Sequence, residues 1–338
     1  MFKEKVLHNQ EKLKTFLESL GLKKPEGLDY TVGIYYGEKL VGTGSIKGNT
    51  LQGIGINCKY QNEGILGKII THLMKKSLEM GFEEIFVYTK PERIVNFTSY
   101  GFKVVAKGKY AVLLEWTQKG IEKYKEKLKE LGVNDTQNTT SIVMNGNPFT
   151  LGHYYLIKKA AAESTHLYVF VVEEEASVFP FDIRYRLIKE GTKNLDNITV
   201  IPGGQYIISS LTFPSYFTRD EDLIKAHVDL DLEVFCTHIA PLLNISKRYV
   251  GTEPYCPVTK EYNEGMKLKL KKCGIDVVEI ERKSLEGDII SASKVRELIK
   301  LGKIEKTEKY LPQTTYNFIK SKEAGNIIEK IRDSKSRH

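Results

Sequence analysis

The chain has 338 residues, 41% of them hydrophobic, and a formal net charge of +8. That length predicts two domains of ordinary size. No apolar run approaches the ~18–20 residues of a helical membrane span, and the positive charge favours anionic partners: nucleotides, phosphorylated cofactors, acidic proteins or RNA.

The start, MFKEKVLHNQEKLK, is polar with no signal-peptide core, so a cytoplasmic location without membrane association is expected. Residues 4–20 predict an amphipathic helix, with Val6, Leu7, Leu13, Phe16, Leu17 and Leu20 on its apolar side. Residues 30–36 and 39–46 read as a hairpin through Gly37-Glu38, and 51–56 as a third strand. A loop then opens a helix with Leu66, Ile69, Ile70, Leu73 and Leu78 inward. Residues 84–89 read as a parallel-type strand, 92–101 as a short helix closing in Tyr100-Gly101-Phe102, and 102–106 and 110–116 as strands. Residues 119–138, a charged helix running into an Asn/Thr stretch, have linker composition. The domain boundaries fall at about 1–130 and 139–338.

Beyond the linker, Ile142–Met144 form a short apolar strand. Asn145–Pro148 break it, and a helical pattern starts at Tyr154. An almost wholly apolar strand at 167–172 follows, as in a parallel sheet. A helix at 183–194 and a strand at 198–201 come next. After a long insertion at 209–222, strands are expected at 233–237, 247–251 and 276–280, a helix at 289–300, and then a helical tail. The alternation predicts a doubly wound α/β domain with its ligand at the carboxyl edge of the sheet. Four scattered cysteines, Cys58, Cys236, Cys256 and Cys273, contain no C-x-x-C. They predict neither a zinc site nor a disulfide framework.

Two stretches carry chemistry. In SIVMNGNPFTLGHYYLIK (141–158) a strand, a tight turn and a helix N-terminus follow one another. Free backbone N–H groups and the positive end of the helix dipole meet anions in that arrangement. Thr150 and His153, three apart, share a helix face, and Gly152 leaves room for close approach of a ligand. In ISASKVR (290–296) Ser291 reads as a helix N-cap. Ser293 and Arg296 share one face, and Val295, Leu298 and Ile299 form the buried one.

The first stretch resembles the (T/H)-x-G-H motif of the nucleotidyltransferase superfamily. The second resembles that superfamily's I-S-x-[ST]-x-[IV]-R element. The order of elements in the first domain resembles the GCN5-related N-acetyltransferase fold. Gln61 and Gly64 match its Q/R-x-x-G-x-G/A loop, with Leu66 where a small residue is expected and Gly67 one place late. With SSLTFPSYFTRDED (209–222), HVDLDLEVF (227–235) and KRYVGTEPYCPVTKEYNEGMK (247–267), nearly the whole chain resembles the citrate lyase ligase family.

That resemblance implies an acetyltransferase-like α+β domain followed by a Rossmann-like nucleotidyltransferase domain. It implies an ATP-dependent ligase that activates acetate as acetyl-adenylate, releases AMP and pyrophosphate, and acetylates a thiol on the acyl carrier subunit of citrate lyase. Thr150, His153 and Arg296 are then the catalytic residues. Asn147, Phe149, Gly152, Arg186, Gly251, Glu253, Ser291 and Ser293 bind ATP. Gln61, Gly64 and Gly67 receive a CoA-like arm. Mg²⁺ is expected on ATP oxygens and water rather than in a protein cage, and no nucleic-acid partner is expected. An acetate ligase acting on tRNA cytidine and a small-molecule adenylyltransferase are the alternative readings.

Overall fold

A computed structural model describes residues 1–132, 137–174, 177–209, 213–214, 216–218, 220–252, 257–285 and 288–334. The chain divides into two compact units. The first comprises Met1–Tyr124 with Phe213–Val234, and the second Lys125–Thr212 with Phe235–His338.

The first unit is built on a seven-stranded mixed sheet. Its strands are β1 (Phe2–Val6), β2 (Tyr30–Tyr36), β3 (Lys39–Lys47), β4 (Thr50–Ile56), β5 (Ile85–Thr89), β6 (Lys103–Lys107) and β7 (Val112–Trp116), in the order β1-β2-β3-β4-β5-β7-β6. The helix expected over 4–20 is shorter than its pattern. Residues 2–6 pair antiparallel with β2, and α1 spans Gln10–Glu18. Asn9 sets the helix start, because its Oδ1 accepts from the Lys12 N–H at 2.9 Å. Val6 is exposed while Leu7 is buried, the alternation of a strand end rather than of a helix face.

The central helix α2 (Ile65–Glu79) buries Ile65, Ile69, Ile70 and Leu73 in a core with Val32, Ile34, Val41 and Ile46. A short α3 (Val95–Thr98) follows β5. The mixed sheet with its single parallel pair, β4 with β5, is the acetyltransferase-like arrangement expected. The segment 213–234 completes this unit from far along the chain. Phe213, Tyr216 and Phe217 are buried. The Tyr216 hydroxyl donates to the Tyr88 carbonyl at 3.4 Å, and the Tyr216 carbonyl accepts from the Lys23 N–H at 3.0 Å.

After α4 (Ile121–Leu131), the second unit alternates strand and helix. It runs β8 (Thr139–Met144), α5 (Leu151–Ala162), β9 (His166–Val171), α6 (Phe181–Gly191) and β10 (Ile198–Pro202). The chain then contributes α7 (Asp220–Val234) to the first unit. It resumes with β11 (Ile245–Gly251), α8 (Pro257–Lys272) and β12 (Asp276–Ile280), a ribbon of β13 (Ser284–Leu285) and β14 (Asp288–Ile289), and then α9 (Ala292–Lys300), α10 (Gln313–Lys320) and α11 (Gly325–Asp333). The five-stranded sheet is parallel, in the order β10-β9-β8-β11-β12. Connections leave β8 and β11 toward opposite edges, so the switch point of this doubly wound sheet lies between their carboxyl ends. Ile142, Met144, Val169 and Val171 pack with Ile157, Ile188, Val295 and Ile299 in its core.

Two expectations need correcting here. Residues 233–237 are not a strand but the end of α7 running into a π-helical turn, Phe235–Ile239. The buried Phe235, Ile239 and Leu243 recur every four residues, which is a helical period. Cys236 and Cys273 form a disulfide, with Cα atoms 6.1 Å apart. The fold brings the π turn to the end of α8, a proximity that a separation of 37 residues does not advertise. Among the described residues, no helix is long and apolar enough to cross a membrane.

Candidate active site

Both chemical motifs open helices at the carboxyl edge of the second unit's sheet. Thr150, in extended conformation, is the N-cap of α5, and its Oγ1 accepts from the His153 N–H at 3.3 Å. The His153 side chain returns the favour: Nδ1 accepts from the Thr150 N–H at 3.1 Å. The Thr150 hydroxyl lies 3.0 Å from the same nitrogen. This is a capping box with histidine where Glu or Gln is usual. It fixes the tautomer. A ring nitrogen that accepts a backbone N–H carries no proton, so the imidazole proton sits on Nε2 and points a donor away from the cap.

Burial first, and then the positive charge of Arg282, lower the His153 pKa from 6.5 to about 4. His153 at neutral pH is therefore an uncharged donor, held beside the positive end of a helix. Phe149 is fully buried and stacks on its ring, with centroids 6.1 Å apart and planes 12° off parallel.

The second motif is built alike. Ser291, also extended, caps α9, and its Oγ accepts from the Lys294 N–H at 3.2 Å. Two contacts join the motifs. A Cβ on Gly152 would lie 2.8 Å from the Ile290 carbonyl oxygen, so the glycine lets the first turn of α5 press against the chain entering α9. Protein backbone, rather than a ligand, takes up that space. Arg296 supplies the second contact. Its Nη1 donates to the Asn147 carbonyl and its Nη2 to Ser293 Oγ at 3.4 Å. Burial lowers the Arg296 pKa.

The turn itself is braced from behind. The Asn147 side chain accepts from the Phe179 N–H at 3.1 Å. Arg184, fully buried, donates to the carbonyls of Phe179, Asn145, Val172 and Glu174 at 2.8–2.9 Å. Asn145 Nδ2 in turn donates to the buried Glu174 carboxylate at 2.9 Å.

The remaining candidates are placed as follows. Gly251 ends β11, and among the described residues a Cβ there would meet only the Arg282 side chain, at an ordinary 3.7 Å. Glu253 lies outside the described residues. Arg186 donates to Glu323 at 2.7 Å and lies 5.6 Å over the Phe318 ring, so its partners are in the helical tail. In the first unit Gly64 is the N-cap of α2 at φ +70°, and Gln61 is exposed nearby. The Tyr100 hydroxyl stands 2.6 Å from where a Cβ of Gly67 would be, so that glycine serves close packing.

The motif reading missed two arginines. Arg282 follows β12 at the same edge, and its Nε donates to the Thr252 carbonyl at 2.6 Å. Its position just past a parallel strand was the available signal. Arg184 could have been found from the face it shares with Leu187 and Ile188.

Arg296→Lys keeps the charge but cannot span the Asn147 carbonyl and Ser293 together. Losing one charge-assisted hydrogen bond of about 1.5 kcal/mol predicts about a tenfold fall in ATP turnover, and Arg296→Ala a larger one. Unchanged turnover in both would place α9 outside the site.

The family described as citrate lyase ligase C-terminal domain matches residues 139–319. Three curated relatives bear the name citrate (pro-3S)-lyase ligase. The protein from Klebsiella pneumoniae is 37% identical over 92% of either chain. That from Haemophilus influenzae is 37% identical over 94% of this chain and 97% of its own. The Escherichia coli protein is 35% identical over 87% of this chain and 84% of its own.

Proposed function

Since this chain belongs to the citrate lyase ligase family, we propose that it is the acid–thiol ligase that joins acetate to citrate lyase through acetyl-adenylate. The acceptor is the prosthetic-group thiol of the acyl carrier subunit, and the setting is the cytoplasm. One observation carries the reading: Arg296 of the second motif donates to Asn147 of the first, so both motifs converge on one sheet edge.

Acetate titrates near Asp and Glu and is ionised at about pH 7. Its attack on the α-phosphate therefore needs no general base. It needs two anions brought together and charge stabilised as pyrophosphate leaves. The residues present fit that demand. The backbone donors at the start of α5, the Nε2–H of His153 and the guanidinium groups of Arg296 and Arg282 are all donors, gathered at one edge. The neutrality of His153 suits a hydrogen-bond donor that stays in place through the reaction without exchanging its proton.

Among the described residues no group of three His, Cys, Asp or Glu side chains could hold a metal. Mg²⁺ carried by the triphosphate and water fits that surface, and would supply neutralisation of phosphate charge. In the second step the carrier thiol attacks the acetyl carbon and AMP leaves. Gln61 and Gly64, at the start of α2, are assigned to the CoA-like arm of the carrier, while Gly67 packs against Tyr100. Docking there raises the local thiol concentration.

The test is incubation of the full chain with ATP, labelled acetate and one acceptor at a time: thiol-form carrier protein, tRNA or free phosphopantetheine. Label is expected on the carrier, with one AMP per acetyl group. Label on tRNA, or a stable dinucleotide product, would overturn the reading.

A further inference from the structure

Ser141 on β8 and Arg248 on β11 are in-register partners, so their side chains leave the same face of the sheet about 4.8 Å apart. Both are buried, Arg248 to 3% exposure and Ser141 to 0%. Among the described residues, Ser141 Oγ and both Nε and Nη1 of Arg248 have no hydrogen-bond partner. The guanidinium has one long bond, from Nη2 to the Tyr262 hydroxyl at 3.4 Å, and lies 4.9 Å over the Phe235 ring. A buried cation with idle donors is strongly unfavourable. Two strands supply these three idle polar atoms at one register position, and they ask for an anion with acceptor oxygens.

The surroundings define that anion. Pairing of β8 with β11 ends at Ser141 and Arg248, although both strands continue. The crevice at the switch point therefore opens directly above this pair. The next residues on the same face toward the edge, Val143 and Val250, are half-buried rather than buried, which leaves a way in. Phe235 and Phe170 meet at 6.2 Å, close to edge-on, and make an apolar wall beside the charge. One positive charge, a hydroxyl and an aromatic wall suit a small monocarboxylate better than a phosphate.

We infer that Arg248 and Ser141 form a receiving site for a small carboxylate at the floor of this crevice. The choice of acetate as that carboxylate rests on the proposed reaction. Three residues of strand place the floor about 10 Å from the carboxyl edge, so this is a holding position and not the pose in which acetate reacts.

The test is titration of the nucleotide-free full chain with sodium acetate, followed by calorimetry and by thermal unfolding. Sodium chloride and inorganic phosphate at matched ionic strength serve as controls. Wild type is expected to bind acetate saturably and to melt higher as acetate rises. Arg248→Met should bind it at least about tenfold more weakly and melt no lower than wild type in acetate-free buffer, since the substitution removes an unpaired buried charge. Ser141→Ala, which keeps the arginine, should bind about threefold more weakly, and Arg248→Lys should fall between wild type and the methionine variant.

Equal acetate stabilisation of wild type and Arg248→Met overturns the inference, as does an equal effect of chloride or phosphate. If the Arg248 variants fail to fold and Ser141→Ala binds acetate as wild type does, the pair is structural and the inference falls. Arg248-dependent binding without acetyl transfer would leave the site standing and remove the proposed reaction. Acetyl transfer with binding indifferent to Arg248 would do the reverse.

Discussion

Replacing His153 by alanine is expected to slow single-turnover, acetate-dependent pyrophosphate release by about 10²–10³-fold, the usual cost of one lost transition-state donor. The fold should survive, because Thr150 still caps α5. Glutamine offers a sharper test. At this position its amide oxygen can accept from the Thr150 N–H, as Nδ1 does now, and its amide N–H can stand in for Nε2–H. His153→Gln should therefore recover about tenfold over alanine. Equal activity of the alanine variant and wild type would remove His153 from catalysis.

The pH dependence follows the same logic. With a pKa of about 4, His153 keeps its donor tautomer down to weakly acidic pH, and its contribution to rate fades only as pH falls through that value. Acetate itself titrates in this range, so the comparison with His153→Gln must hold the acetate anion concentration fixed. In stability the unfolded chain takes up the proton first, because its imidazole titrates near 6.5. The stability linked to His153 is complete above that pH and is lost as pH falls toward the folded value.

The largest effect on stability is expected at Arg184. Methionine fills much of the same volume but leaves the carbonyls of Phe179, Asn145, Val172 and Glu174 without their donor. Stranding buried acceptors of a charged partner predicts a loss of about 3–5 kcal/mol, read as a lower urea midpoint. Arg184→Lys, with three donors on one point, should lose less but still be clearly destabilised. A methionine variant within about 1 kcal/mol of wild type would mean that the carbonyls find water instead. Activity should fall with either substitution, since these bonds hold the turn that carries Asn147.

The two motif helices were legible in the sequence because each announces itself locally. A helical period marks each, and at the second Ser291 reads as its cap. The parallel strands were legible as short apolar runs between them. What escaped was set by distant partners. Residues 2–6 become a strand because β2 offers them an edge, and nothing within five residues of sequence says so. The π turn at Phe235–Ile239 is joined through Cys236 to Cys273, 37 residues further on. Gly152 looked like a space for ligand, yet the neighbour that claims the space lies in the other motif. Of the two arginines two apart on α6, the motif reading favoured Arg186. Helical geometry instead turns Arg184 inward with Leu187 and Ile188.

The discontinuous make-up of the first unit has a consequence for how the protein is synthesised. Residues up to Tyr124 leave the ribosome with seven strands' worth of sequence, yet the layer containing Phe213, Tyr216 and Phe217 does not exist until much of the second unit has been translated. The nascent first unit waits with Tyr88 and its surroundings bare. The usual rule, that an N-terminal domain completes itself before the next begins, does not hold for this chain. The same threading governs dissection by expression of fragments. A cut in the stretch between 130 and 139 strips one piece of a packing layer and leaves the other carrying aromatic side chains with nothing to cover them. Two such fragments should be poorly soluble apart and should recover when expressed together.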